Sequence, residues 1–455
     1  MKVEIPQINW HGKEPVLSID FYPFSNLFVT CGHDDSGSNM RVIFWELVKK
    51  EKLDQPDGGK DPKDPLSNLE WIPVFKYSDN SFTQQPSVVR WSPNGTHLAS
   101  AGSNDSLSLW DYKMRSIEMN SFKTEPRWGV CKNLRGHFWE ITDISWSRDE
   151  KFIATASVDN SAILWNVEKG SQVQRFEAHK NYVSGITVDP FFNYIITQST
   201  DKTVKVHKNI ESDKSAKFYI KNNIYKRKFI KDESNQLVVL TKEQEDELLE
   251  DEAKMKEKGF YSDSHRMFLD DSEVFCFSRR LTFSPDGSLL IIPCGLYQHD
   301  KSKEEINYCC YGFTRKNLSE PAFILPSGGT CPIVVKFHPL LFKRAETDDP
   351  FIDLPYIMVF AVATQDQIMI YKTQSLYPYC VISNMHYAEL TDLSWTKDKL
   401  LASSRDGYVT TIIFEEEELG VPLELHDIPE NLQDIFGYVP MAFRSGQDVE
   451  MQEDE

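Results

Sequence analysis

Short apolar runs, alternating with polar residues and cut by Ser, Asp, Gly and Pro, recur along this chain. They are the period-two pattern of β-strands joined by tight turns. The pattern is clearest in residues 134–166, LRGHFWEITDISWSRDEKFIATASVDNSAILWN. There Ile144 and Trp146 alternate, Ser147-Arg148-Asp149 makes a turn, residues 152–156 form an apolar strand, Asp159 marks a second turn, and residues 162–165 form a third strand. A looser copy begins at Phe176, so that His137 and His179, like Asp159 and Asp201, stand 42 residues apart. A repeat of about 40 to 45 residues is the length of one propeller blade. One such sheet cannot bury both of its faces, so the copies must stack around a ring.

Seven copies of the unit can be placed. The first runs from His11 to Trp45, and the second holds VVRWSPNGTHLASAG at residues 88–102. The third and fourth are the pair just described. The fifth holds RRLTFSPDGSLLIIPCG at 279–295, the sixth joins IVVKFHP at 333–339 to YIMVFAVATQDQIMIY at 356–371, and the seventh is residues 390–414. The reading is an all-β, seven-bladed WD40 β-propeller over residues 1–419, with a charged insertion at 208–275 and an acidic, disordered tail at 420–455. Val3, Ile5 and Ile8 alternate ahead of the first blade, so residues 2–10 are expected to supply the outer strand of the seventh blade. An unfastened ring would expose two sheet edges.

His137, Ser157 and Asp159, followed by Trp165, have the residue types of a hydrolytic triad. They track the repeat, however, and His179 and Asp201 return one period later. A buried hydrogen-bonded chain that pins the turn is therefore expected of all six residues. A triad would also need an oxyanion donor and an exposed nucleophile. No GxxxxGK[ST], GxGxxG or HExxH motif occurs, and the eight cysteines lack paired CxxC spacing. No enzyme activity, metal or other cofactor is expected. Scattered cysteines of this kind suit a reducing compartment.

The formal charge of -19 is unevenly spread. Residues 415–455 hold 13 acidic residues against the single base Arg444, whereas the insertion has 16 acidic and 13 basic residues. Such a balance disfavours direct nucleic-acid binding and favours a basic partner. The longest apolar run, 356–363, is far below the roughly 18 residues of a membrane span, and the N-terminus has no charged-then-apolar signal pattern. Lys226-Arg227-Lys228 with Lys231 is the only basic cluster.

Two segments carry more apolar residues than a solvated linker needs. In the tail, Leu432, Ile435, Phe436 and Tyr438 could dock on a partner or fold back on the propeller. In the insertion, residues 241–259 read as an exposed helix or as disorder, and His265, Arg266, Met267, Phe268, Asp270 and Asp271 form a second candidate contact. Arg279 and Arg280 are expected either to pair with Asp270 and Asp271 or to face a partner.

Four stretches also carry a resemblance: IxWHxKEPVLSIDF from Ile8, LRGH with ASVDNSAILWNVEKG, RMFLDDS followed by RRLTFSPDGSLL, and SLYPYCVISNMHYAELTDLSW from Ser375. With them the chain resembles the WD-repeat middle subunits of chromatin assembly factor 1, relatives of the HIRA histone-regulatory proteins, over residues 1 to about 422. The resemblance implies a nuclear, non-enzymatic scaffold. It would sit with the large and small subunits of that factor, which delivers histones H3 and H4 to newly replicated or repaired DNA, and would meet an Asf1-type histone chaperone. Relatives with longer C-termini use an Arg-Arg-Ile-type motif for that donor, and nothing in residues 419–455 matches it. The segment 431–443 is the expected substitute. The competing reading is another WD-repeat adaptor, such as a ubiquitin-ligase substrate receptor, for which no docking signature is present.

Overall fold

The computed structural model describes residues 1–436 apart from 9, 13, 24, 34–39, 51–68, 80–85, 104, 117–123, 211–215, 225, 232–260, 270–276, 298–306 and 345–351. Seven four-stranded antiparallel sheets form the ring. Each blade begins with a buried inner strand, as in Ile141–Trp146 of blade three, and ends with a wetter outer strand, as in Ser171–Phe176. The core lies between neighbouring blades. Ala99, Leu107 and Leu109 of blade two pack with Ile144, Ile153 and Trp165 of blade three, and the same layering recurs around the ring. Burial on both faces explains why some blade strands, such as Tyr356–Thr364, carry a continuous apolar run instead of strict alternation.

Six of the seven inner strands shift register after their first residue, as at Ile141/Asp143 and Leu390/Asp392. In blades one, three and seven the residue after the bulge, Ser18, Asp143 or Asp392, belongs to a polar cluster in the central channel. In blade four the residue after the bulge is Gly185, where an added Cβ would lie 1.8 Å from the Arg279 carbonyl oxygen. Only glycine permits that approach of the connection into blade five.

Lys2–Glu4 pairs antiparallel with Val409–Ile413 and completes blade seven. Its buried Glu4 carboxylate accepts backbone N–H groups from Glu70 at 2.8 Å and Trp71 at 3.3 Å. The seventh blade is thereby tied to the outer strand of the first.

Two boundaries differ from the sequence reading. Phe218–Ile224, inside the tract read as insertion, is the outer strand of blade four. Beyond it Lys226–Lys231 pairs with Tyr261–Arg266 as a separate two-stranded hairpin. Residues 421–436 are folded. Lys343 N–H donates to the Val421 carbonyl and Leu423 N–H to the Leu341 carbonyl, which lays the strap along blade six. The helix Glu430–Phe436 then buries Ile435 and Phe436 together with Tyr356, Leu289 and Phe323. Arg148 of blade three donates two hydrogen bonds to the Ile435 carbonyl, at 3.0 and 2.5 Å. The strap thus crosses one face of the ring from blade six to blade three. Disorder is the common fate of acidic tails, but here spaced apolar residues find a face to cover.

Candidate functional site

The residues grouped by the sequence come together in blade three with one change of membership. Trp165 Nε1 donates to Thr155 Oγ1 at 2.9 Å, Thr155 meets His137 Nε2 at 2.7 Å, and His137 Nδ1 lies 2.9 Å from Asp159 Oδ2. The hydroxyl in this chain is therefore Thr155 rather than Ser157. Ser157 donates to the Trp139 carbonyl and accepts the Asp159 N–H, so it braces the turn from the side. Asp159 also accepts the backbone N–H of Phe138 and a hydrogen bond from Arg175. Burial of Asp159 is outweighed by the hydrogen bond from His137, that ring's charge and Ser161, so its carboxyl titrates well below the usual range. The hydroxyl beside His137 is fully buried and already engaged by Trp165. That geometry pins a loop and offers no nucleophile.

Blade four repeats the pin. His179 reaches Asp201 at 3.0 Å and Thr197 at 2.8 Å, with His207 Nε2 in the tryptophan place, 3.2 Å from Thr197. Burial, then the neighbouring His179 and Lys205, push His207 down to about 3. Burial likewise holds His338 at about 4. Both rings are neutral when folded, whereas the unfolded chain takes up their protons as pH falls below 6.5. Their stability contribution is thus complete above pH 6.5 and is lost progressively on acidification, by about 2 kcal/mol for each ring at pH 5. Thermal melts from pH 7 to pH 5 should show the loss, and His207→Gln, which keeps a donor but cannot titrate, should remove its own share. An unchanged slope in that variant would refute the assignment.

Two further pins escaped the sequence reading. In blade seven His386 bonds Asp406 at 3.0 Å and Thr410 at 2.7 Å. In blade one Thr30 joins His11 and Trp45, both at 2.9 Å. The His386-to-Asp406 interval of 20 residues is close to the 22 of blades three and four, and it was the available signal.

A second polar cluster sits in the central channel. Asp392 receives Arg90 through both oxygens, at 2.7 and 3.2 Å, and Arg280 at 2.5 Å. Ser18 Oγ adds a bond of 2.6 Å, and the N–H of Ile19 one of 3.2 Å. One carboxylate so ties blades one, two and seven to the start of blade five. Burial opposes its ionisation, but Arg280, Arg90 and Lys336 together hold it well below the carboxylate range. Beside it lies a cavity of about 180 Å³ lined by Asp20, Asp143, Arg280 and Lys336 among others.

The candidate contact residues are placed as follows. Arg280 pairs with Asp392 in the channel, away from the insertion. Arg279 Nη1 donates to the Leu269 carbonyl at 2.6 Å, which fastens the exit of the insertion through backbone. Met267 and Phe268 are core residues beside Leu296 and Tyr311, not a free surface. His265 and Arg266 pair in register with Arg227 and Lys226 of the hairpin. Leu432, Ile435 and Phe436 are buried on the propeller, the fold-back alternative and not the partner contact of their sequence reading. Asp270, Asp271 and Tyr438 lie outside the described residues, as do residues 241–259. No cluster of three or more His, Cys, Asp or Glu fit to hold a metal occurs among the described residues, and no helix there is long and apolar enough to cross a membrane.

Comparison with known proteins gives a consistent result. A family model described as the CAF1B/HIR1 beta-propeller domain matches residues 1–419. The chromatin assembly factor 1 subunit FAS2 homolog of Oryza sativa subsp. japonica is 34% identical, covering 93% of this chain and 75% of the relative. The B-type subunit of chromatin assembly factor 1 from Gallus gallus is 35% identical over 93% of this chain and 69% of its own length. Its namesake in Saccharomyces cerevisiae is 27% identical over 90% and 85%. With the ring, its closure and its pins in view, the chain belongs to the CAF1B/HIR1 β-propeller family.

Proposed function

We propose that this chain is the β-propeller subunit of a chromatin assembly factor, acting in the nucleus as a scaffold without catalysis of its own. It associates with a large and a small subunit and serves the deposition of histones H3 and H4 on newly replicated or repaired DNA. The observation that carries this reading is the likeness of the whole propeller, poorly patterned blades five to seven included, to proteins that bear the name of that factor. Physical support is of two kinds. The polar pins stabilise loops, and a ring with fixed loops can hold several partners at once. The folded strap also displays Glu424, Asp427, Glu430 and Asp434 on its exposed side, a charge that suits a basic cargo. An Asf1-type donor belongs to the same proposal, although the first part of the segment expected to receive it is buried.

Reconstitution tests the reading. Co-expressed with the large and small subunits of its own organism, the chain should co-elute with them in one complex that binds H3 and H4, and omitting it should lower histone deposition on replicating plasmid at least severalfold. Elution apart from both subunits, together with undiminished deposition, would reject the proposal.

A further inference from the structure

The loops that enter blades three and seven are built alike. His137-Phe138-Trp139-Glu140 and His386-Tyr387-Ala388-Glu389 correspond residue for residue. Phe138 N–H and Tyr387 N–H each donate to the pinned aspartate, at 3.0 Å. Ser157 and Ser404 each donate to the third carbonyl, at 3.1 Å. The fourth carbonyl accepts from Val158 N–H in one blade and Arg405 N–H in the other, both at 2.9 Å. Both loops therefore stand on the same face of the ring.

They differ in what meets the glutamate. In blade seven the Arg405 guanidinium lies 3.7 Å from Glu389, which also accepts from Gln365. In blade three the equivalent of Arg405 is Val158, so Glu140 lacks that cation. Glu140 is half-buried, with Ser87, whose hydroxyl donates to the Ile141 carbonyl at 3.3 Å, close by, and no salt bridge to a described basic side chain reaches it. Its carboxyl is accordingly raised by burial. Next to it the Trp139 side chain is 67% exposed. Phe138 is exposed as well, but Arg175, held by Asp159 and Glu177, already stacks on its ring at 4.7 Å. An open indole one residue from a half-buried carboxylate without a counter-charge suits a cation with an apolar stem.

We propose that the loop entering blade three receives an arginine or lysine side chain from an extended basic segment of a partner polypeptide, Glu140 taking its charge and Trp139 its stem. Blade seven supplies the internal precedent, because there the chain's own arginine fills the same place. A nucleic-acid backbone carries the wrong charge for Glu140. The inference names the chemistry of a contact, not the subunit that provides it, and its test uses this chain alone. Failure here would leave the reconstitution experiment untouched.

The test is fluorine NMR on the full chain labelled with fluorotryptophan, the Trp139 signal being identified by its loss in Trp139→Phe. A short Gly/Ser peptide carrying three arginines should shift that signal in a saturable way, and the same peptide with citrulline in place of arginine should not. Glu140→Gln should weaken the arginine peptide about tenfold. Val158→Arg, which supplies the cation that blade seven already has, should weaken it to the level of the citrulline peptide. The remaining tryptophan signals report whether each variant is folded. Equal shifts with arginine and citrulline, no shift at millimolar peptide, or undiminished binding in both folded variants would overturn the proposal.

Discussion

Replacing Asp392 with alanine should cost about 3 to 5 kcal/mol of stability, the effect of stranding a buried charge. Two arginines converge on this carboxylate, and both are buried. Without it Arg90 keeps neutral acceptors, chiefly the Val89 carbonyl at 2.9 Å and the Ser18 hydroxyl at 3.0 Å. Arg280 keeps the Thr391 carbonyl at 3.1 Å and a more distant Asp143 at 3.9 Å. Asp392→Asn, which preserves shape and some hydrogen bonding, should fall between wild type and alanine. A triple variant with Asp392→Leu, Arg90→Met and Arg280→Met should recover part of the loss, since removing a whole buried ionic group is milder than breaking it. Matched-rate thermal scans would measure the series. If Asp392→Ala melted within a degree of wild type, the carboxylate would not be holding the blades together.

Deleting residues 1–9 should be the next most damaging change, lowering the melting temperature by about 5 °C or more. The deletion removes the outer strand of blade seven and leaves Val409–Ile413 as an open edge. It also removes the Glu4 carboxylate from two backbone N–H groups of blade one, and hydrogen bonds to a charged group are worth about 1.5 to 3 kcal/mol. The shortened chain should tend to associate through its free edge, visible as concentration-dependent light scattering. Supplying residues 1–9 as a separate peptide should partly restore the melting point. A monomeric deletion variant of unaltered stability would mean that the ring closes by other means.

The ring was legible in the sequence because each blade repeats the same strand-and-turn pattern, whereas its closure was legible only in part: the strand is Lys2–Glu4 rather than 2–10, and it buries Glu4 while leaving Val3 exposed. Membership of the pin was harder to read. Thr155 and Ser157 lie two apart on one strand and share a face, so spacing cannot say which hydroxyl meets His137. The partner of Arg280 was beyond reach for a different reason. Asp392 stands more than 100 residues away in sequence, and only the curvature of the ring brings the two together. Likewise Leu432, Ile435 and Phe436 announced a buried surface without naming what buries them. The strap needs blades five and six to be assembled before its destination exists. Local pattern was readable in the blades that keep the repeat, but not in Phe218–Ile224 or the strap, and contacts across the channel were not readable at all.

The pairing of Lys2–Glu4 with Val409–Ile413 also has a consequence for biosynthesis. The first strand leaves the ribosome about 400 residues before its partner, a wait of roughly 20 to 80 seconds at ordinary elongation rates. Throughout that interval the nascent polypeptide holds an unmatched strand, exposed to mispairing with neighbours on the same polysome. Late stalling of translation would yield species with six finished sheets and no means of sealing, natural clients for a cellular folding assistant.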